Sequence, residues 1–188
     1  MTFFFKNHPQ VSYDIQGNGV LRTVQNPLVR FKLLDVLKNR TALYYTHDIQ
    51  EGQTLEFIAD TYYGDSTLDW VIYIVNNIID PQYDLPLDYQ QFVAFVRSKY
   101  GSTESAFNTI HHYEHIYQTQ SVLFDGTNVP EKTINVDLTT YNGLVATDRR
   151  EVSNYTYEEE LNESKRSIKV LHVDYLVDFL SEAESIFE

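Results

Sequence analysis

Two stretches of apolar residues at helical spacing lie between residues 48 and 76 of this chain. The first repeats at i, i+3, i+4 and i+7, the pattern of a surface helix with one buried side: Leu55, Ile58, Ala59 and Tyr62. The second is apolar around more of its circumference: Leu68, Trp70, Val71, Ile72, Ile74 and Val75. Such a helix must be covered on more than one side, so the pattern predicts a small core built on two consecutive helices.

Glycine and polar residues mark where these helices begin and end. Gly52 belongs to a tight turn before the first helix, and Gly64 ends that helix, because glycine adopts the left-handed conformation without a steric penalty. Ser66 and Asp69 form a Ser-x-x-Asp pair typical of a helix start, and Asn76 ends the second helix. A strand at residues 43–46 leads into the first helix, so the predicted order is strand, helix, helix.

The N-terminal part of the chain predicts an arm. Two strands at residues 11–15 and 20–24 flank Asn18-Gly19, a pair typical of a type I′ hairpin turn. A two-stranded arm is unstable alone and must lie on the body or on a partner. Asn26-Pro27 then marks a helix start, and the apolar face that follows fits a helix, with a strand as the alternative: Val29, Leu33, Val36 and Leu37.

The pattern changes after residue 76. Asp88 and Gln91 start a helix that ends at Gly101. Residues 102–150 predict an extended arm, or a loose sheet that orders on contact, with short strands at about 110–117, 121–124 and 133–137. A helix, a strand and a last helix follow at about 156–166, 167–172 and 174–187.

Together these elements predict an α+β fold in four segments. The segments are an N-terminal arm with a hairpin (1–40), a core with one extra helix (41–101), a β-rich extended segment (102–150) and a C-terminal helix-strand-helix segment (151–188). A length of 188 residues allows one domain or two small ones.

Composition narrows the classes of function. The chain has no Cys, which excludes disulfides and thiolate chemistry. Its fifteen Tyr and eleven Phe residues suit surfaces that are buried against partners, although a Tyr-rich core and surface without partners is the alternative. No stretch has the roughly 18 apolar residues of a membrane span, and the N-terminus does not fit a signal peptide.

Charge is distributed unevenly along the chain. Residues 1–50 carry six basic and three acidic residues, whereas residues 51–188 carry eight basic and twenty-four acidic residues. This balance argues against nucleic-acid binding, because phosphates attract positive charge. It permits docking onto basic proteins, and it also fits a charge that serves solubility alone.

One cluster has the residue types of a metal site. Three imidazoles and one carboxylate within five residues could hold Zn²⁺ in a metal-dependent enzyme: His111, His112, Glu114 and His115. The His-Glu-x-x-His spacing is absent, and we interpret the cluster as an exposed or interface segment that could make a contact pH-sensitive. The acidic residues 158–160 fit the first turn of a helix better than a catalytic carboxylate pair. Trp70 and Tyr62 could stack on a sugar ring, but their spacing favours packing between the two helices.

The stretch Asp48–Asn76 resembles a LysM domain, a compact strand-helix-helix-strand unit. The resemblance rests on Gly52-Gln53-Thr54-Leu55, the Ile58-Ala59 pair and the asparagine after the second helix. Two features depart from a plain LysM domain. Tyr62-Tyr63-Gly64-Asp65 and the Trp70 helix replace its usual middle, and residues 80–87 stand where the closing strand is expected.

This variant resembles the baseplate wedge subunit of T-even-like contractile-tail bacteriophages, the gene product 53 type. The matching motifs are Tyr63-Gly64-Asp65, Trp70-Val71-Ile72, Asn76, Asp80-Pro81 and Pro86-Leu87. Leu55 and Leu85 stand where the family pattern has Pro and Trp. The main match covers roughly residues 40–100, and a weaker match lies at residues 157–171.

The resemblance implies a non-catalytic structural protein without a cofactor, located in the virion at the tail baseplate and assembled in the host bacterial cytoplasm. The implied partners are the helical wedge-core subunits, which it would clamp, the sheath-adaptor subunit and the neighbouring wedge. The alternative is a LysM-type module that binds peptidoglycan or chitin. The residues of the implied LysM-like core are Gly52, Leu55, Ile58, Ala59, Tyr62, Gly64, Leu68, Trp70, Val71, Val75 and Asn76.

Overall fold

The computed structural model describes residues 8–26, 29, 33, 37 and 39–186, which form an α+β fold. The strands are β1 (Gln10–Tyr13), β2 (Arg22–Gln25), β3 (Tyr44–Asp48), β4 (Ile110–Gln118), β5 (Ser121–Val122), β6 (Asn128–Val129), β7 (Lys132–Val136), β8 (Arg149–Ser153) and β9 (Ser167–Leu171). The helices are α1 (Leu55–Tyr63), α2 (Asp69–Val75), α3 (Pro81–Asp84), α4 (Tyr89–Tyr100), α5 (Thr103–Asn108), α6 (Leu138–Gly143), α7 (Asn154–Ser164) and α8 (Val173–Ser185). Three 3₁₀ turns lie at Thr41–Leu43, Ser66–Leu68 and Ala146–Asp148.

The chain divides into two compact units. Unit 1 comprises the chain up to Pro86 together with the chain from Lys165 onward, and unit 2 is Leu87–Ser164. Unit 2 is therefore inserted into the chain of unit 1. The predicted segment boundaries at 40, 101 and 150 do not coincide with this division, since α4 lies in unit 2 and the predicted C-terminal segment is shared between both units.

The sheet of unit 1 joins two distant parts of the chain. β3 pairs with β9 in antiparallel register, from Tyr44 opposite Leu171 to Asp48 opposite Ser167. A strand-helix-helix-strand unit is thus complete, and its closing strand comes from residues 167–171, far beyond the position at which it was expected. The short helix α3 occupies the expected position, because Asp80 caps it and Pro81 stands in its first turn.

Two clusters of buried apolar side chains hold unit 1 together. The first packs α1 and Ile72 of α2 against β9: Ile49, Leu55, Ile58, Ala59, Ile72, Ile78, Ile168 and Val170. The second joins the rest of α2 to β9 and α8: Leu68, Trp70, Val71, Ile74, Val75, Leu171 and Leu176. Both predicted apolar stripes are confirmed, and α2 is covered on two sides as its wide apolar girth requires. Each fully buried aliphatic side chain contributes about 1.5–3 kcal/mol.

The N-terminal hairpin forms, but its turn differs from the prediction. β1 and β2 pair from Gln10 opposite Gln25 to Tyr13 opposite Arg22, with an eight-residue loop between them. A type I′ turn needs positive φ angles at both of its central residues, but they occur at Gly17 and Gly19 and not at Asn18. The prediction of a type I′ turn at Asn18-Gly19 is therefore wrong. The Asp14 carboxylate organises the loop instead, accepting hydrogen bonds from the backbone N–H groups of residues 16, 18 and 19. Most of the helix predicted after Pro27 lies outside the described residues.

Unit 2 combines a three-stranded antiparallel sheet, in the order β7-β4-β8, with three packed helices. Its apolar cluster joins α4, α5 and α7: Phe92, Val96 and Ala106, with Leu87, Tyr100 and Tyr155 around them. The strands predicted near 110–117, 121–124 and 133–137 correspond to β4, β5 and β7. The alternative of an extended arm is wrong, because β4 is hydrogen bonded on both of its edges.

Candidate interaction surface

Two glycines and a carboxylate shape the turns around α1. Gly52 and Gly64 have φ angles of 73° and 72°, and the Gly64 N–H donates to the carbonyl of Asp60 at 2.9 Å. The predicted end of α1 is therefore confirmed. The predicted Ser66–Asp69 helix start is wrong, because Asp65 Oδ1 accepts from the Thr67 N–H at 2.9 Å and from its hydroxyl at 2.7 Å. A carboxylate one position earlier takes the capping role.

Asn76 joins the end of α2 to the closing strand. Its Nδ2 donates to the carbonyls of Ile72 at 2.9 Å and Lys169 at 2.7 Å. Its Oδ1 accepts from the Lys169 N–H at 2.8 Å. One half-buried amide therefore satisfies both backbone groups of a residue 93 positions away, on the edge of β9 that faces away from β3. The role predicted for Asn76 was local, and this bridge goes beyond it.

The left-handed residue after α2 is Asn77, with a φ of 56°. Its N–H donates to the carbonyl of Ile74, and the Ile78 N–H donates to the carbonyl of Tyr73. These bonds form a Schellman motif, and Ile78 is buried in the first cluster, as the apolar residue after such a motif commonly is. Asparagine tolerates the left-handed conformation better than most residues. The two neighbouring asparagines therefore have different roles: the side chain of Asn76 bonds to β9, and the backbone of Asn77 makes the left-handed turn.

Unit 2 contains a similar amide bridge. Asn162 Oδ1 accepts from the Leu87 N–H at 2.7 Å, and its Nδ2 donates to the Leu87 carbonyl at 3.1 Å. Asn162 is buried, so the bridge satisfies polar groups that water reaches poorly. It joins the first residue of unit 2 to the helix that ends it.

Tyr62 and Trp70 were predicted to pack between the two helices, but their ring contacts lie with other elements. Trp70 is 8% exposed and packs against Phe179 of α8, with ring centroids 5.9 Å apart. Tyr62 instead lies against β3, where its hydroxyl is 3.2 Å from His47 Nδ1 and its ring is 5.6 Å from that of Tyr45. The ring of Trp70 is consequently enclosed by protein.

An aromatic row crosses unit 1 from α1 to the start of α8. Tyr45 stacks on His172 with centroids 4.5 Å apart, and His172 meets Tyr175 edge to face at 6.2 Å. Tyr62 continues the row on the other side of Tyr45. Tyr45 and Tyr175 are 38% and 42% exposed, so the row presents aromatic carbon together with hydroxyl groups to solvent.

An apolar groove of about 400 Å³ lies beside α8 in unit 1. Its lining consists of Leu33, Leu37, Leu43, Tyr44, Leu171, Tyr175, Asp178, Phe179, Glu182, Ala183 and Ile186. Both charged residues of this lining, Asp178 and Glu182, are acidic and lie one turn apart on α8. The sequence did not reveal the groove, because β3 and β9 meet only through long-range pairing.

The histidine cluster of β4 is not assembled as a metal site. His111 and His112 contact each other through their Nδ1 atoms at 2.8 Å, and His111 stacks on Tyr157 at 3.8 Å. Arg150 donates two hydrogen bonds to Glu114 Oε2, at 2.6 and 2.9 Å. Among the described residues no three His, Cys, Asp or Glu side chains are grouped to hold a metal ion. A zinc site here would first have to separate Glu114 from Arg150.

Two buried carboxylates in unit 2 have close partners that lower their pKa values. Burial alone would raise the pKa of Glu114, but the hydrogen bonds and charge of Arg150 outweigh it and lower that pKa below its ordinary value. Glu158 is likewise buried, and Lys99 at 2.6 Å and the Tyr100 hydroxyl at 2.7 Å lower its pKa despite burial. Glu158 lies mid-helix in α7, so the first-turn interpretation of residues 158–160 is wrong. These pairs have a structural role, since they fasten β4 to β8 and α4 to α7.

None of the described helices combines the length and the apolar character that crossing a bilayer requires. Comparison with models of known protein families gives no match to this chain. Comparison with curated proteins gives no match either.

Proposed function

We propose that this chain is a non-catalytic structural subunit of the baseplate wedge in a T-even-like contractile phage tail. It would clamp the helical wedge-core subunits beside the sheath-adaptor subunit and help to join adjacent wedges during baseplate assembly. Its place would be the virion, after synthesis and assembly in the host bacterial cytoplasm.

The main support is the way in which the two separate parts of the resemblance come together. The first part, residues 40–100, contains β3, α1 and α2, and the second part ends in β9. β9 pairs with β3 and is tied to α2 by Asn76. Residues that match the family pattern at distant positions therefore build one LysM-like unit, which makes a chance resemblance harder to accept.

The surface of unit 1 also suits binding to proteins. It offers the aromatic row and the apolar groove, and aromatic side chains are enriched at protein interfaces. The formal net charge of −13 disfavours nucleic acid as the partner.

The glycan-binding alternative has less support from the geometry. Its best stacking candidate, Trp70, is enclosed between α2 and α8 and offers no open ring face to a sugar. Tyr62 belongs to the aromatic row, which a protein partner would cover equally well. We therefore place protein binding first.

The test is to introduce a stop codon into this gene in its source genome and to examine the resulting particles by electron microscopy. The proposal expects wedge precursors without complete baseplates, and recovery of tails when the wild-type gene is supplied from a plasmid. Complete baseplates that form without the protein would refute it. Saturable retention of the purified chain on peptidoglycan would instead support the alternative.

A further inference from the structure

We propose that the tip of the β5-β6 hairpin, residues 122–125, is an anchor that inserts the Phe124 ring into an apolar pocket of another protein, and that Lys or Arg residues flank this pocket. The hairpin tip lies in unit 2, whereas the support for the function proposed above comes from unit 1. Either proposal can therefore hold without the other.

Three consecutive apolar side chains of the hairpin tip are exposed to solvent. The exposed fraction is 70% for Val122, 52% for Leu123 and 110% for Phe124, so folding hides none of the Phe124 ring. The described span 39–186 includes the whole hairpin and its flanking strands β4 and β7. Contiguous apolar side chains on a protein surface commonly mark a site of interaction, because their burial against a partner is favourable.

The backbone holds Phe124 in a fixed turn. The Leu123 carbonyl accepts from the Gly126 N–H at 2.9 Å, and the Leu123 N–H donates to the Thr127 carbonyl at 2.8 Å. Gly126 has a φ of 83°, so the loop combines a turn of type I pattern with a left-handed glycine, a common three-residue hairpin connection. An anchor that is held in place before binding loses less conformational freedom on binding, which favours a role in recognition.

Charge indicates what surrounds the pocket that receives the ring. Residues 119–130 contain one ionisable side chain, that of Asp125, which is exposed next to Phe124. The Thr127 N–H donates to Asp125 Oδ1 at 2.9 Å, and this bond lowers the pKa of Asp125 below its ordinary value. A carboxylate that enters an interface needs a partner of opposite charge or a hydrogen-bond donor. Lys or Arg at the edge of the pocket supplies both.

Two other occupants fit the hairpin tip less well. The binding of an apolar segment to a lipid surface is commonly reinforced by Lys or Arg next to anionic headgroups, and residues 119–130 contain neither. A second copy of this chain has a formal net charge of −13, so it repels the first copy and its Asp125. The experiment below detects both of these occupants.

The experiment replaces Phe124 with the photo-crosslinking residue p-benzoylphenylalanine in this gene in its source genome. The cells that make the protein are irradiated, and mass spectrometry identifies the residues that are joined to position 124. We expect cross-links to one site on one other protein, with apolar side chains at that site and Lys or Arg beside them. The matched control carries the same replacement at Tyr83, an aromatic residue of unit 1 that is 68% exposed, and it should not label that site.

Affinity measurements with the cross-linked protein, purified as the probe, then test the two parts of the anchor. Phe124→Ala should weaken its binding to the full chain by at least about tenfold, and Tyr83→Ala should change it by less than about twofold. Asp125→Asn keeps an oxygen that can accept from the Thr127 N–H but removes the charge, so it should weaken binding by about threefold or more at low salt and reduce the salt dependence. Circular dichroism should show that each variant retains the fold.

Several outcomes would overturn the proposal. Cross-links to lipid, to a second copy or to other residues of the same chain would assign the hairpin tip to another occupant. An absence of cross-links, or labelling spread over many proteins, would show that no pocket receives it. A captured protein that binds Phe124→Ala as tightly as the wild type would remove the anchor, and an unchanged salt dependence in Asp125→Asn would remove its basic flank.

These outcomes are separate from those of the stop-codon test. Baseplates that fail to form without the protein, together with a hairpin tip that labels nothing, would leave the proposed function intact and remove the anchor. Complete baseplates that form without the protein, together with a mapped pocket for Phe124, would do the reverse.

Discussion

Replacement of Asn76 by alanine should destabilise unit 1, because this side chain ties the end of α2 to the closing strand. The substitution removes three hydrogen bonds of 2.7–2.9 Å, one to Ile72 and two to Lys169. Each is worth about 0.5–1.5 kcal/mol net, so the upper estimate is about 4.5 kcal/mol. Asn76 is half-buried and Lys169 is exposed, so water can rehydrate part of what is lost. We therefore expect the free energy of unfolding to fall by about 2–3 kcal/mol.

Urea denaturation of the full-length protein measures this loss. The single tryptophan, Trp70, lies in the second cluster of unit 1, so its fluorescence follows the unfolding of that unit. With a slope of about 1–3 kcal/mol per molar urea, the midpoint should fall by about 1 M. The matched control is Asn162→Ala, which removes the similar bridge in unit 2 and should leave the Trp70 midpoint nearly unchanged.

Hydrogen exchange identifies the cause of the loss. In the wild type the Lys169 amide hydrogen is bonded to Asn76 Oδ1, and in Asn76→Ala it should exchange faster than the amides of β9 that pair with β3. A change in unfolding free energy below about 0.5 kcal/mol, or an unchanged exchange rate at Lys169, would refute the argument that this amide fastens the sheet.

Two further predictions follow from the turns and the buried carboxylates. Gly64→Val should lower the free energy of unfolding by at least about 1–2 kcal/mol, and Gly64→Asn should lower it by less. The reason is that Gly64 has a φ of 72°, a left-handed conformation that asparagine tolerates better than valine, whereas an added Cβ would meet no neighbouring atom. Equal losses in the two variants, measured by Trp70 fluorescence, would contradict this. The pKa of Glu114 is lowered on folding, so its stabilisation is complete above the ordinary value of 4.5 and is lost as pH falls through the folded-state pKa. In Glu114→Gln the melting temperature of unit 2 should therefore fall less steeply as the pH is lowered than it does in the wild type. An unchanged pH dependence of the melting temperature would contradict the role of Arg150.

The parts of the fold that the sequence predicted are those with local signals. α1 and α2 follow from apolar spacing, and α4 follows from Asp88, whose carboxylate accepts from the Gln91 N–H at 2.7 Å, and from Gly101 at its end. These signals lie within one or two turns of the helices that they specify, so a single sequence is sufficient to find them. The α+β class follows from the same reasoning.

The parts that were missed depend on long-range or closely competing interactions. A strand was predicted at 167–172, close to β9, but its pairing with β3 was not, because nothing local in either strand specifies a partner more than a hundred residues away. The insertion of unit 2 and the groove were missed for the same reason. Asp65 replaced Ser66 as the cap because both can accept from nearby N–H groups, and the sequence does not rank neighbouring acceptors.

The pairing of β3 with β9 also governs when unit 1 can finish folding during synthesis. β3 leaves the ribosome about 120 residues before its partner, and at roughly 5–20 residues per second the delay is about 6–24 s. Throughout that interval Ile58 and Ile72 lack the cover that Ile168 and Val170 later provide. A nascent chain in which unit 2 has already folded therefore still carries β3 as an unpaired strand, and a translation product truncated before residue 167 would keep that aggregation-prone strand unpaired permanently.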